Sequence, residues 1–159
     1  MATTSPLRGA ATALTFAAGD STLAAAAYAV SSGVDTLTLG SGGIVADDAV
    51  VTLSVGIAAT AVANDILKIW AISSIDGATY SNAPADGSSD TTHDANMNLL
   101  DVLVVPSAAA QTLVLPLTAL AALFNGVLPP YVAIVLFNGS GAALTSLAGT
   151  IQGINESIA

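Results

Sequence analysis

The chain has 159 residues and a mass of 15.5 kDa, and its two basic side chains stand against eleven acidic ones, giving a net charge of −9. Phosphate contacts need lysine and arginine, so this balance excludes nucleic-acid binding and disfavours an anionic membrane surface. The absence of cysteine excludes disulfides, thiolate metal sites and cysteine nucleophiles. Threonine, valine, isoleucine, serine and glycine are abundant, which favours an all-β fold.

The amino-terminal residues 1–10 predict an extended arm, because Pro6 and Gly9 oppose regular structure. Such an arm is either a frayed tail or a docking element. Arg8 followed by the apolar residues 10–18 has some features of a secretory leader, which we expect to be retained. Residues 11–159 are expected to form a single domain, since a chain of this length buries enough surface for one core.

The strongest strand signal is the stretch between Asn64-Asp65 and Asp76-Gly77, a pair that favours a tight turn. Alternation places Leu67, Ile69 and Ala71 on one face, and Lys68, Trp70 and Ser74 on the other. Both faces are largely apolar, which predicts a central strand covered on both sides. A second apolar run, Tyr131 to Phe137, is predicted to share its sheet.

Other short runs with β-branched or alternating residues predict further strands at 12–17, 34–39, 49–55, 99–105, 111–115 and 144–154. The alanine-rich residues 23–30 are compatible with either a short helix or a strand. Residues 117–124 have near-helical spacing and predict one or two helical turns, capped by Asn125-Gly126. Roughly eight short strands with frequent turns predict a single β-sandwich or jelly roll.

The stretch between Asp101 and Glu156 has no charged side chain, but it does not predict a membrane span. A spanning helix needs about 20 consecutive apolar residues. Proline and Asn-Gly pairs divide this stretch into much shorter pieces. A chain this apolar and this poor in charge is instead expected to bury surface against neighbouring copies or partners.

The polar loop after Gly77 contains His93, the only histidine, together with Asp86, Asp90 and Asp94. Aspartate oxygens suit calcium, but the spacing does not match an EF-hand, so a solvated acidic loop is the favoured interpretation. A catalytic triad would have to use His93, and no Gly-x-Ser-x-Gly segment presents a nucleophile. We therefore predict no enzyme activity, no metal and no cofactor.

Three segments together resemble those of small head proteins of tailed bacteriophages. The first is the strand that leads into Ser-x-Asp-Gly-x-x-Tyr, at residues 74–80. The second is Leu128-Pro129-Pro130 before a hydrophobic strand, followed by Asn-x-x-Gly-x-x-Leu, which is similar to residues 138–144. The third is the closing Asn155-Glu156. The resemblance covers roughly residues 66 to 157 and lies in strand ends rather than in catalytic groups.

The resemblance implies a capsid decoration, or cement, protein with a jelly-roll fold, on the outer surface of the virion. It implies two partners: the major capsid protein of an assembled shell, and further copies of this chain in a trimer. We expect the contacts with partners at Leu7, Arg8, Leu117, Leu120, Phe124, Pro129 and Pro130. An alternative is a carbohydrate-binding or adhesin-like head fibre domain that uses an exposed Trp70 or Tyr80.

Overall fold

The computed structural model describes residues 4–40, 45–80, 83–84, 86–89, 92, 94 and 97–158. In this part of the chain the regular structure is ten strands and three 3₁₀ turns, which span Asp20–Thr22, Thr36–Thr38 and Ala121–Phe124. The strands are β1 (Thr4–Arg8), β2 (Thr12–Ala13), β3 (Ala27–Val30), β4 (Val34–Asp35), β5 (Asp48–Ile57), β6 (Ile66–Ser74), β7 (Asn98–Val104), β8 (Gln111–Ala119), β9 (Tyr131–Gly139) and β10 (Leu144–Ile158).

The main strands form antiparallel pairs in which each outer pair in the sequence encloses the next inner pair. β1 pairs with β10, β3 with β9, β5 with β8, and β6 with β7. Successive pairs alternate between two sheets. Sheet A has the order β1-β10-β5-β8, with β2 also on β10; sheet B has the order β3-β9-β6-β7, with β4 also on β9. This is the jelly-roll arrangement of a β-sandwich, so the predicted all-β fold is confirmed.

The main core lies between the inner faces of the two sheets. Alternate residues of β5, β6 and β9 point into it, including Leu53 of β5 and Ile134 of β9, and β10 contributes Ile151. Leu67, Ile69 and Ala71 of β6 are also there, whereas Trp70 and Ile72 belong to a second cluster on the outer face of sheet B. β6 lies between β7 and β9, so its prediction as a covered central strand beside the strand 131–137 is confirmed.

The predicted strand at 34–39 is wrong beyond Asp35. The Asp35 carboxylate accepts a hydrogen bond from the backbone N–H of Leu37 at 2.9 Å, and its carbonyl accepts one from the Thr38 hydroxyl at 2.8 Å. An aspartate that bonds the backbone two residues later favours a turn over a strand. The alternating side chains therefore enter a 3₁₀ turn, and only Val34–Asp35 pair with β9.

The strand predicted to end at Leu115 continues through Pro116 to Ala119. The pairing of β8 with β5 slips between Val51 and Leu53, where Pro116 and Leu117 lie. Proline is tolerated on an edge strand at such a bulge because no ladder hydrogen bond is required of it there. The predicted helical turn begins later than expected, at Ala121, and ends at Asn125 in the left-handed conformation with φ 58°.

One prediction near the amino terminus is corrected, and one open alternative is decided. Of the predicted strand 12–17, only Thr12–Ala13 are paired. The alanine-rich segment 23–30 resolves as a strand over its second half, Ala27–Val30. Inside the expected extended arm, the described backbone of Thr4–Arg8 is β1, paired with Ile154–Ile158.

Candidate assembly surfaces

The outer face of sheet B is covered by side chains and by the loop that follows β6. Tyr28 is fully buried and packs its ring against Phe137 and Trp70, with ring centroids 4.9 and 6.0 Å apart. Met97 and the partly buried Tyr80 complete this second cluster from the loop side. The part of this face around Trp70 is therefore closed within the chain, and Trp70 itself is only 3% exposed. Leu99, Val102 and Val104 of β7, which pair with the outward residues of β6, remain exposed.

Polar contacts hold the loop on sheet B. The Asp94 carboxylate accepts hydrogen bonds from the Tyr28 hydroxyl and from Lys68 Nζ, the latter at 3.1 Å. Lys68 Nζ also lies 5.8 Å from the centre of the Trp70 ring, within cation–π range. The Val30 backbone N–H donates to the carboxylate of Asp86 at 2.9 Å. The only lysine of the chain thus serves to close this loop.

The outer face of sheet A has a different character. Its middle presents small, uncharged side chains from three adjacent strands, which we call the sheet A face: Thr52, Ser54, Val114, Ser146, Ala148 and Thr150. Ser54 lies between Val114 and Ala148 in the register, and Val114 is 60% exposed. The Thr52 and Thr150 hydroxyl groups hydrogen bond to each other at 2.8 Å. No loop described in the structure covers this face.

Two shallow hollows adjoin at β10, and one of them lies on the sheet A face. One is lined by Thr52, Ser54 and Val114, and the other lies beside β2, around Phe16. Both share Ala148 and Gly149, and the residues that line them are uncharged. The nearest carboxylate along β5 is Asp48 at the strand end, where it accepts the backbone N–H of Ala121 at 2.7 Å. The hollows therefore form a neutral surface on an acidic molecule.

Further exposed apolar side chains lie on β7 and β8, the edge strands of sheet B and sheet A. We call these residues the β7–β8 flank: Leu99, Val102 and Val104, which pair with Trp70, Lys68 and Ile66 of β6, and Leu117 on β8. These are four of the ten large apolar side chains that are exposed in the described part of the chain, between 36% and 56% each. The half-buried Asp101 is the one acidic residue on these two strands, and it accepts the Val102 backbone N–H at 2.7 Å.

The predicted contact residues differ in how far they are exposed. Arg8 and Leu117 are exposed, and Pro129 and Pro130 are half-buried. Phe124 is partly buried against the main core, and Leu120 is fully buried in it, so Leu120 has no surface to offer a partner. The backbone of Leu7 pairs with Asn155, and its side chain is outside the described part of the structure. Of the predicted set, only Leu117 lies on one of the two surfaces.

The Ser-x-Asp-Gly-x-x-Tyr segment forms a self-contained turn. The Asp76 carboxylate accepts the backbone N–H groups of Thr79 and Ala78 at 2.9 Å and the Ser74 hydroxyl at 2.8 Å. These bonds, with Thr79 the largest contributor, lower the pKa of Asp76 to about 2. Gly77 has φ 71°, and a Cβ there would meet the Tyr131 ring at 2.8 Å. The segment is thus a structural corner.

The turn between β9 and β10 is also built from the residues of the resemblance. Asn138 is buried, and its amide donates to the carbonyls of Leu23 at 3.0 Å and Ala142 at 2.8 Å. Its side-chain oxygen accepts the Ser140 hydroxyl at 2.7 Å. Earlier in the chain, the carbonyl of Pro130 accepts the Thr36 hydroxyl at 3.0 Å. These two segments of the resemblance therefore fix turns of the fold rather than a reactive group, whereas Asn155-Glu156 lies within β10.

The metal and sugar alternatives find little geometry in the described residues. Asp90 and His93 lie outside the described residues, and within those no group of three His, Cys, Asp or Glu side chains comes together. Burial is the main cause that raises the pKa of the Asp20 carboxyl, and the negative charge of the nearby Asp86 raises it further. Trp70 is buried, and the Tyr80 hydroxyl is enclosed, with burial raising the pKa of Tyr80. Neither ring offers the open face that a sugar platform needs.

Sequence comparison finds no match that bears on these surfaces. No family model matches the chain, and no curated protein matches it in sequence. Across the described residues, no helix has the length and apolarity needed to cross a bilayer.

The sheet A face was not among the predicted contact residues. Alternation in Val51-Thr52-Leu53-Ser54-Val55 indicates one small polar face, and Ser146, Ala148 and Thr150 repeat the pattern. What the sequence lacks is the register that places these strands side by side. A search for outward positions that are uniformly small and uncharged could have indicated the surface.

Proposed function

We propose that this chain is a non-enzymatic structural protein that decorates the outside of an assembled bacteriophage capsid. The proposal joins the resemblance of residues 66–157 to small phage head proteins with the jelly-roll fold. The observation that carries it is the sheet A face, a neutral and uncovered surface on a chain of net charge −9. The major capsid protein of the shell is the proposed partner, and the proposed form is a trimer.

A decoration protein needs neither cofactor nor reactive side chain. It stabilises a shell because it binds the assembled state and not the free subunits, so binding free energy adds to the stability of the assembly. Closed turns such as those of Asp76 and Asn138 suit this role, since rigid corners lower the entropy lost on docking. The acidic surface is compatible with a position outside the genome compartment.

The test is sedimentation with expanded phage shells, using free capsid subunits as the comparison. We expect the protein to sediment with the shells at a fixed stoichiometry and to ignore the subunits. We also expect the decorated shells to melt at a higher temperature than bare shells. A protein that stays in the supernatant with every shell tested, or that binds free subunits equally well, would contradict the proposed function.

A further inference from the structure

We propose that Asn125 is a site of spontaneous deamidation in the folded protein, and that the isoaspartate formed there opens the end of the 3₁₀ turn at Ala121–Phe124. Asparagine is one of the thermolabile residue types. The chain has two Asn-Gly pairs, Asn125-Gly126 and Asn138-Gly139. Glycine after asparagine leaves the reacting backbone nitrogen unshielded, because glycine has no Cβ. The two pairs lie in opposite surroundings in the fold, and the first of them is open to reaction.

The reaction needs only water and a backbone nitrogen that can reach the side chain. The Gly126 nitrogen loses its proton and attacks Cγ of Asn125, so that an N–Cγ bond forms, the Cγ–Nδ2 bond breaks, and Nδ2 leaves with the proton as ammonia. The product is a five-membered cyclic imide. Water then opens the ring at one of its two carbonyl groups, which gives either aspartate or isoaspartate. In isoaspartate the main chain runs through Cβ and Cγ, so it is one carbon longer.

Asn125 and Gly126 lie at the exposed end of the turn. The side-chain amide of Asn125 has no hydrogen-bond partner among the described residues. A Cβ built at Gly126 would meet nothing within 4 Å, so the peptide between the two residues has room to rotate. The attacking nitrogen is restrained by the hydrogen bond that the Gly126 N–H donates to the Ala121 carbonyl at 2.8 Å. Because the ends of short turns open at a small cost in free energy, we expect local opening to free this nitrogen while the core stays folded.

Asn138 has the same neighbour in sequence, but its surroundings are closed. Its side chain is fully buried, and its amide nitrogen donates to the carbonyls of Leu23 at 3.0 Å and Ala142 at 2.8 Å. Gly139 is paired with Ile66 at the end of β9, and a Cβ there would overlap the Ile66 carbonyl oxygen. The amide and the attacking nitrogen are therefore both fixed, and we expect Asn138 to react only when the protein unfolds.

The left-handed conformation of Asn125 closes the turn. Its φ is 58°, and its N–H, like that of Gly126, donates to the Ala121 carbonyl. Aspartate tolerates this conformation, whereas the longer main chain of isoaspartate moves the Gly126 N–H away from that carbonyl. The start of the turn is held separately, since the Asp48 carboxylate accepts the Ala121 N–H at 2.7 Å. We therefore expect isoaspartate to loosen the end of the turn around Phe124, which packs against the main core.

Peptide mapping after incubation of the wild-type protein in mildly alkaline buffer tests the site. The chain has no acidic residue between Asp101 and Glu156, so a protease that cleaves before aspartate releases one peptide that contains both Asn-Gly pairs. Aspartate formed at position 125 or 138 creates a new cleavage site in this peptide, and an isoaspartate-specific methyltransferase labels the form that is not cleaved. We expect product at position 125 and none at position 138 while circular dichroism shows a folded protein. The rate should rise with pH, because the attacking nitrogen must lose its proton.

Asn125→Gly is the matched control. Glycine keeps the left-handed backbone and removes the side-chain amide, so we expect no product at position 125 and no change in melting temperature over the same incubation. The melting temperature of the wild type should fall as isoaspartate accumulates. In concentrated urea, both asparagines of the wild type should react at similar rates.

Three results would overturn the inference: no product at position 125 in the folded protein, equal rates at positions 125 and 138 in the folded protein, or a melting temperature that isoaspartate leaves unchanged. No shell takes part in this experiment, so its outcome is independent of the proposed function.

Discussion

The outer faces of the two sheets differ although their inner faces share one core. On sheet B, the loop after β6 covers an aromatic cluster, and the ion pair between Lys68 and Asp94 holds it in place. On the sheet A face, the side chains are small and uncharged, and no described loop lies over them. Among the described residues, the chain thus covers the aromatic part of one outer face itself and leaves the middle of the other exposed.

Truncation of Trp70 should show the largest difference between the two faces. Trp70 is 3% exposed, so Trp70→Ala is expected to lower the free energy of unfolding by about 3–5 kcal/mol. Val114→Ala on the sheet A face should change it by less than about 0.5 kcal/mol. Urea unfolding followed by circular dichroism measures both. Equal losses would show that the two faces are not covered differently.

Replacement of Lys68 should lower the free energy of unfolding by an amount between those expected for Trp70→Ala and Val114→Ala. The Lys68 and Asp94 side chains are 35% and 22% exposed, so solvent screens their attraction only in part. Lys68→Met is expected to cost about 1 kcal/mol and to increase proteolysis within residues 78–97. Arg8→Met, the matched loss of the other, exposed cation, should cost less than about 0.5 kcal/mol. If both variants behave alike in unfolding and proteolysis, the ion pair does not secure the loop.

Acid should weaken the corner that begins the loop. Its hydrogen bonds lower the folded-state pKa of Asp76 from 3.8 to about 2. A lowered pKa contributes stability that is complete above the unfolded value and is lost as the pH falls through the folded one, here between about pH 4 and pH 2. We expect a smaller fall in melting temperature over this range for Asp76→Asn than for the wild type. An identical fall would exclude this contribution.

High salt should have the smallest effect of these changes. The quantity measured is the share of the protein that sediments with expanded shells, which tests the sheet A face. A contact without charged groups is not weakened by screening, and screening reduces repulsion between acidic copies. We therefore expect the protein to remain on the shells in 1 M sodium chloride, on the scale where the Debye length is about 3 Å. Release from the shells at high salt would indicate an ionic contact and would contradict a neutral interface.

The sequence predicted those parts of the fold that depend on local signals. Turn pairs such as Asp76-Gly77 and the apolar run from Tyr131 defined the two central strands and the all-β class. The strand at 34–39 was predicted wrongly because the Asp35 carboxylate bonds the backbone of Leu37, which alternation does not reveal. Pro116 was read as a strand end because its position on an edge, at a bulge, depends on the neighbouring strand.

The candidate surfaces could be predicted only in part, for a related reason. Leu117 was predicted as a contact residue from its local sequence, and it is exposed. Leu120 was expected at the same surface, but the turn at Ala121–Phe124 directs it into the core. The sheet A face brings together Ser54, Val114 and Ala148, which are distant in sequence. Only the order of strands in the sheet makes them neighbours.

The most direct test of the uncovered face is sedimentation of the wild type with expanded shells beside Ala148→Glu, measured over a dilution series. We expect the wild type to sediment with the shells and the folded variant to stay in the supernatant, because one carboxylate at the centre of a neutral contact would be buried without a partner. Equal sedimentation of the two proteins, whether both bound or both free, would contradict the claim that the sheet A face docks on the shell.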